Sequence, residues 1–206
     1  MQFTQKLWQA SETIYHDILK HPFIQQLTVG TLPIEIFNFY LQQDSFYLID
    51  FARALAHVGS RLEKVEHSLA CYNYAQSALV VERELHINWL KNYKAINIEK
   101  SFTCCGYTDH LLRHAVFSAP EVGLAALLPC FWIYEQVGQF ILNQVDIIDH
   151  PYKDWIETYN DPEFSVAVET MKNIVDDLAT TSLYHQEMIK VFKQSSYYEY
   201  LFWDHC

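Results

Sequence analysis

Apolar residues recur along this chain at the three- and four-residue spacing of amphipathic helices almost throughout. Phe3, Leu7, Ile14 and Ile18 begin the first predicted helix, which stops before the sequence HPF at 21–23. No convincing pair of segments shows the alternating pattern of β-strands. The pattern therefore predicts an all-α fold.

Prolines and capping residues divide the middle of the chain into further helices. Pro33, in a first turn, opens a long helix to about Ala56, a third is predicted over roughly 62–93, and a fourth begins near Tyr107. The sequence SAPE at 118–121 matches a capping box and predicts the start of the next helix.

The last third of the chain is predicted to hold two helical segments. A short helix covers 150–159, and Asp161 is then placed as an N-cap, with Pro162 at the first helical position. The final segment runs from about 163 to 204, with an interruption near QSS at 194–196. These signals predict one all-α domain of seven or eight helices, a globular bundle rather than a coiled coil.

Composition narrows the class of protein. A chain of 206 residues with 50% hydrophobic residues can build one domain with a sizeable core. The net charge of −11 and the lack of clustered Lys and Arg argue against nucleic acid as a binding partner. No uncharged run approaches the roughly 18 residues that suggest a membrane span.

Cysteine usage indicates the compartment. The chain has five cysteines, an odd number, without a CxxC or paired zinc spacing. The N-terminus reads as an amphipathic helix rather than a signal peptide. Both observations predict a reduced, cytoplasmic protein.

The apolar stretch AALLPCFWIYEQ (125–136) contains the first candidate for chemistry. Pro129 lacks a backbone N–H, so the helix is expected to kink there and leave the Ala125 carbonyl free. Cys130 follows at once, with Tyr134 one turn further on. A buried, inert core cysteine is the commoner explanation on spacing alone. A nucleophilic thiol facing an aromatic-lined slot is the functional alternative.

Two carboxylates lie in aromatic surroundings. Tyr40, Asp44, Tyr47 and Phe51 share one helix face, so Asp44 is either a structural partner of tyrosine hydroxyls or a ligand for the amino group of a planar molecule. Glu199, in SSYYEYLFWD (195–204), is either part of a capping box with Ser196 or, if desolvated, a general acid/base.

Metal binding is weakly supported. Glu82 with His86, and His110 with His114, are spaced four residues apart, which solvated helix faces commonly show. A di-iron bundle needs repeated Glu-x-x-His motifs, and the sequence has none. We therefore expect no metal.

Five ordered segments together resemble the TenA family, also called thiaminase II or aminopyrimidine aminohydrolase. They cover nearly the whole chain and are HPFIQQLTVGTLP (21–33), FYLQQDSFYL (39–48), ALLPCFWIYEQVG (126–138), HPYKDWIETY (150–159) and YEYLFWD (198–204). The resemblance implies a single TenA-like domain over residues 1–206 with a haem-oxygenase-like all-α fold, usually a homotetramer, without haem, metal or other cofactor.

The same resemblance implies hydrolysis at the pyrimidine methylene of an aminomethylpyrimidine, in thiamin salvage, or of thiamin itself. It implies that Cys130 is the nucleophile, that Glu199 is the proton donor and that Tyr47 makes the cysteine more nucleophilic. The implied substrate-binding residues are Asp44, Tyr134, Tyr107 and Tyr159. Cys104 and Cys105 match no family hallmark.

Two other functions stay open at this stage. One is a metal-dependent or quinone-precursor oxidase of the haem-oxygenase-like group, which lacks support from a second carboxylate/histidine motif. The other is a non-catalytic regulatory protein that binds pyrimidine or thiamin, which would keep the slot without needing the thiol. The sequence does not rank aminomethylpyrimidine against thiamin as substrate.

Overall fold

The computed structural model describes residues 2–88 and 99–204, including the side chains of all these residues except 81–88. These residues contain nine α-helices and no β-strand. The helices are α1 (Phe3–Lys20), α2 (Pro22–Thr28), α3 (Ile34–Gly59), α4 (Val65–Asn88), α5 (Phe102–Phe117), α6 (Pro120–Leu142), α7 (Lys153–Thr158), α8 (Pro162–Ala179) and α9 (His185–Asp204). The predicted all-α class is confirmed.

Helix α6 occupies the centre of the fold because it packs against α3, α5, α8 and α9. Its residues 122–129 are apolar and buried without a break, so this part of the helix has no polar face. Helix α6 is long and apolar enough to span a membrane. However, 72% of its apolar 18-residue stretch is buried inside the fold. A helix that is apolar all round is also what the centre of a globular core requires.

Several predicted helix boundaries are confirmed. Helix α1 ends at Lys20, just before His21 and Pro22. Asp161 caps α8 by accepting a hydrogen bond from the Glu163 backbone N–H at 2.7 Å, and Pro162 follows at the first helical position. Local signals sufficed here because the partners are within two residues of each other.

The predicted capping box at 118–121 is wrong. Ser118 ends α5 instead, and its hydroxyl forms a hydrogen bond with His114 Nδ1 at 2.8 Å. The Glu121 carboxylate accepts a hydrogen bond from the hydroxyl of Ser182 at 2.8 Å. Ser118 is thus bonded to a residue four positions earlier on α5 and Glu121 to a residue 61 positions away, so neither side chain caps α6.

The predicted interruption near 194–196 is also wrong. Helix α9 runs through these residues, and the break in the final segment lies between Ala179 and His185. Ser196 donates a hydrogen bond to the Phe192 carbonyl at 2.9 Å, which satisfies a buried hydroxyl inside the helix. The capping-box explanation of Glu199 fails with it, because Ser196 is inside a helix rather than at its start.

Candidate active site

A cavity of about 750 Å³ opens between α3, α4, α6 and the start of α8. Four predicted site residues line it, namely Asp44, Cys130, Tyr134 and Tyr159. Most of the remaining wall is apolar and includes Leu48, Phe51, Tyr74, Phe131 and Phe164. A concave, largely apolar cavity with a few converging polar groups is the usual form of a small-molecule site.

Asp44 presents an unpaired carboxyl group to this cavity. The residue is only 4% exposed, and burial raises its pKa to about 7. Within the described residues, no hydrogen bond to its carboxyl group is found, so the structural alternative of tyrosine partners is wrong. A buried carboxyl without a protein partner is costly, and a ligand amino group would satisfy it.

Cys130 lies on the buried helix α6 and is reached from the cavity. Burial raises the pKa of its thiol well above the ordinary value, and the charge of Glu199 raises it further. The nearby Tyr47 hydroxyl, which has no hydrogen-bond partner among the described residues, lowers the pKa of the Cys130 thiol. At rest the group is therefore a thiol, and it needs a positive charge nearby to ionise.

Glu199 lies behind the cavity wall, at the junction of α9 with α5. It is 1% exposed and accepts a hydrogen bond of 2.6 Å from the Tyr107 hydroxyl. Burial raises its pKa to about 8, the charge of Asp44 also raises it, and the Tyr107 bond lowers it. A carboxyl group that holds its proton at neutral pH is suited to act as a general acid.

Two tyrosines beside the cavity, Tyr40 and Tyr134, are joined by a hydrogen bond. Tyr40 donates to the Tyr134 hydroxyl at 3.4 Å and accepts from the Trp155 indole N–H at 3.3 Å. The Tyr134 ring packs against those of Tyr159 and Trp203, with centroids 4.8 Å and 5.2 Å away. This rigid aromatic wall is suited to stack a flat ring.

The structure brings all seven predicted site residues into one region. Tyr47, Tyr107 and Glu199 contact it from behind the cavity wall. Prediction missed Tyr40 as a site residue, although its face-sharing with Asp44 was visible in the sequence. It also missed the wall formed by α4 and α8, for which no sequence signal exists.

The remaining candidates lie away from the cavity. The Cys104 thiol donates to the Gln43 carbonyl at 3.5 Å and packs between α3 and α5. Among the side chains described, no three His, Cys, Asp or Glu residues are grouped as metal ligands. The side chains of Glu82 and His86 lie outside the described residues.

Most of the chain is similar in sequence to known proteins. Residues 8–206 match the sequence model of the TENA/THI-4/PQQC family. The chain is 33% identical to the aminopyrimidine aminohydrolase of Bacillus subtilis over 211 residues, which covers 98% of this chain and 89% of that relative. It is 37% identical over 162 residues to the thiamine biosynthesis multifunctional protein ThiED of Corynebacterium glutamicum, covering 79% of this chain but only 21% of that relative.

Solved structures share the fold. A TenA homologue protein from P. horikoshii OT3 superposes with a TM-score of 0.89 at 32% identity, covering 99% of this chain and 97% of that one.

Proposed function

Because the chain belongs to the TENA/THI-4/PQQC family, as its match over residues 8–206 shows, we propose that it is an aminopyrimidine aminohydrolase. Its proposed reaction hydrolyses 4-amino-5-aminomethyl-2-methylpyrimidine to hydroxymethylpyrimidine and ammonia, and thiamin to hydroxymethylpyrimidine and thiazole. The relatives named aminopyrimidine aminohydrolase and ThiED support a role in thiamin salvage.

One observation carries the proposal: a largely buried carboxyl group, to which no described residue hydrogen-bonds, and a thiol line the same aromatic cavity. Asp44, Asp161 and Glu163 also give this cavity three acidic residues, and no described Lys, Arg or His lines it. A cationic pyrimidine derivative would complement that charge. Its presence would also favour the ionised form of the Cys130 thiol.

We propose that the reaction begins with addition of Cys130 to the pyrimidine ring. The sulfur bonds to a ring carbon, and the proton lost by the thiol is balanced by a proton gained at a ring nitrogen. Asp44, with a pKa of about 7, both accepts and releases a proton at neutral pH and would carry this transfer. Tyr47 would stabilise the developing thiolate by donating toward it.

The second stage exchanges the group on the methylene. Glu199 gives its proton to the leaving amine, the methylene–nitrogen bond breaks, and ammonia leaves. Water then adds to the methylene and returns a proton to the Glu199 carboxylate. The carbon–sulfur bond breaks, the ring nitrogen loses its added proton, and Cys130 regains a thiol, so that substrate and water yield alcohol and ammonia.

We further propose one domain over residues 1–206, a cytoplasmic location and a homotetramer. The exposed apolar stripe along α4 supports subunit contacts; it comprises Val65, Leu69, Tyr72, Leu79 and Val80. Large exposed apolar patches commonly mark interaction sites.

The direct test of the function is product formation. Purified protein is incubated separately with aminomethylpyrimidine and with thiamin, and hydroxymethylpyrimidine is quantified by liquid chromatography with mass spectrometry. We expect release from at least one substrate, and the two values of kcat/KM rank them. Binding of both compounds without any release would instead favour the non-catalytic binder and overturn the proposal.

Asp44→Asn is expected to raise KM by about tenfold to a hundredfold, because hydrogen bonds to charged groups contribute about 1.5–3 kcal/mol. The increase of kcat/KM with pH near 7, where Asp44 ionises, should also disappear. Steady-state kinetics from about pH 5 to about pH 9, a range that brackets the pKa of Asp44, measures both effects.

Asp50→Asn is the matched control for this variant. Asp50 lies on the same helix, but its carboxylate binds Arg53 at 2.7 Å and Lys100 at 2.6 Å outside the cavity. KM should stay near the wild-type value in the control. Equal effects of the two substitutions would contradict the role proposed for Asp44.

A further inference from the structure

Helices α5 and α9 are joined by two hydrogen bonds between buried side chains. Tyr107 donates to Glu199 at 2.6 Å, and His110 Nε2 lies 3.0 Å from the Ser195 hydroxyl. Ser195 is fully buried, and His110 is 7% exposed. The proposed chemistry uses the first bond and leaves the second without a role.

The two bonds lie about one helical turn apart along both helices. Their residues are three apart on α5 and four apart on α9, which is close to one helical turn on each. The bond at the higher residue number on α5 is at the lower residue number on α9, so the two segments run antiparallel. Packing already restrains α9, and two bonds one turn apart on the same face oppose its rotation against α5 more strongly than one bond would.

The Tyr198 ring packs against the α5 residue of each bond. It lies parallel to the Tyr107 ring, with centroids 5.2 Å apart and an interplanar angle of 7°. Its centroid is also 5.4 Å from that of His110. Because the Tyr198 ring contacts both α5 residues, a displacement of His110 would also displace Tyr107.

His110 acts as a neutral hydrogen-bonding group. Burial lowers its pKa to about 4, and the nearby charges of His114 and Arg113 lower it as well, while a hydrogen bond to the Val191 backbone opposes them. At neutral pH it therefore adds no charge to the site. Its contribution to the neighbouring carboxyl group must be geometric.

We propose that His110 and Ser195 are positioning residues that hold α9 in the rotation at which Glu199 meets the Tyr107 hydroxyl. The catalytic consequence rests on the proposed function, in which Glu199 moves the proton. The geometric consequence, a fixed Glu199–Tyr107 bond, does not depend on any reaction.

Ser195→Ala tests the proposal, with Ser196→Ala as the matched control. The control removes a hydroxyl from the next buried residue of α9, and this hydroxyl donates back to the Phe192 carbonyl within the same helix. We expect kcat to fall about tenfold in Ser195→Ala, with KM within about twofold of wild type. The control should retain wild-type kcat even if both variants lose similar thermal stability.

The pH profile separates positioning from general destabilisation. The groups that act on Glu199 are Tyr107 from α5 and Asp44 from α3, while Cys130, Tyr47 and Tyr134 respond to its charge. Since the Tyr107 bond lowers the pKa of Glu199, loosening it should raise that pKa above about 8. The alkaline limb of kcat/KM should then move to higher pH in Ser195→Ala and in Tyr107→Phe, with no further shift in the double variant.

His110→Gln and His110→Leu complete the series. Glutamine places a polar group near the position of Nε2 and should restore most of the activity, whereas leucine, which also removes the bond to the Val191 backbone, should be at least as impaired as Ser195→Ala. Infrared titration of the Glu199 carboxyl, identified by comparison with Glu199→Gln, gives its pKa without turnover. An unchanged Glu199 pKa in Ser195→Ala overturns the positioning role, while a raised pKa in a protein without turnover supports it and rejects only the proposed function.

Discussion

Cys130→Ser is expected to lower kcat by about a thousandfold or more while leaving substrate affinity within a few-fold of wild type. Serine has nearly the shape of cysteine, so the cavity and its aromatic wall should persist. Its hydroxyl ionises far less readily than a thiol, and Tyr47 and a bound cation cannot make up that difference. Single-turnover kinetics and isothermal titration with the substrate measure the two quantities.

Cys104→Ser is the control for Cys130→Ser. Cys104 is a buried cysteine whose thiol packs between α3 and α5, whereas the half-buried Cys130 lines the cavity. Its replacement should reduce stability without changing kcat appreciably. Retention of activity in Cys130→Ser would reject covalent catalysis and leave the cavity as a site for direct hydrolysis.

Glu199→Gln is expected to lower kcat by about a hundredfold to ten-thousandfold, the usual contribution of a general acid/base. The loss should be larger for aminomethylpyrimidine than for thiamin, because an amine needs a proton to leave whereas a thiazolium leaves as a neutral ring. The alkaline limb near pH 8, where Glu199 loses its proton in the wild type, should vanish. Parallel pH–rate profiles with the two substrates measure these effects.

The same substitution should stabilise the fold at alkaline pH. Burial raises the pKa of Glu199 to about 8 from its ordinary value of 4.5, so the wild type loses about 1.4 kcal/mol of stability per pH unit between these values. That loss arises because the unfolded chain releases the proton while the folded chain still holds it. Glutamine carries no such proton, so the melting temperature of Glu199→Gln relative to wild type should rise from pH 5 to pH 8.

Glu135→Gln is the control for both measurements. Glu135 is a buried glutamate of α6 that does not line the cavity. Its replacement should alter neither the alkaline limb nor the difference between the two substrates. A Glu199→Gln variant that kept the limb would show that another group donates the proton.

The sequence by itself determined the features that depend on residues within one or two helical turns. The helical period predicted the all-α class, and the face shared by Tyr40, Asp44, Tyr47 and Phe51 is buried as its spacing required. The cap at Asp161 was readable because its partner lies two residues away. Spacing alone left Cys130 more probable as a core residue, and its selection came from the family resemblance.

Only the tertiary structure decided which polar side chains have hydrogen-bond partners within the fold and which can bind a ligand. Glu121 bonded to Ser182, 61 residues away in sequence, instead of capping α6, and α9 continued through Ser196. No described residue hydrogen-bonds the Asp44 carboxyl group, whereas Glu199 has a partner from α5, because other helices determine what surrounds each carboxyl group. The physical reason is that burial and long-range contacts set hydrogen bonding and pKa, whereas sequence spacing fixes only neighbours along the same helix.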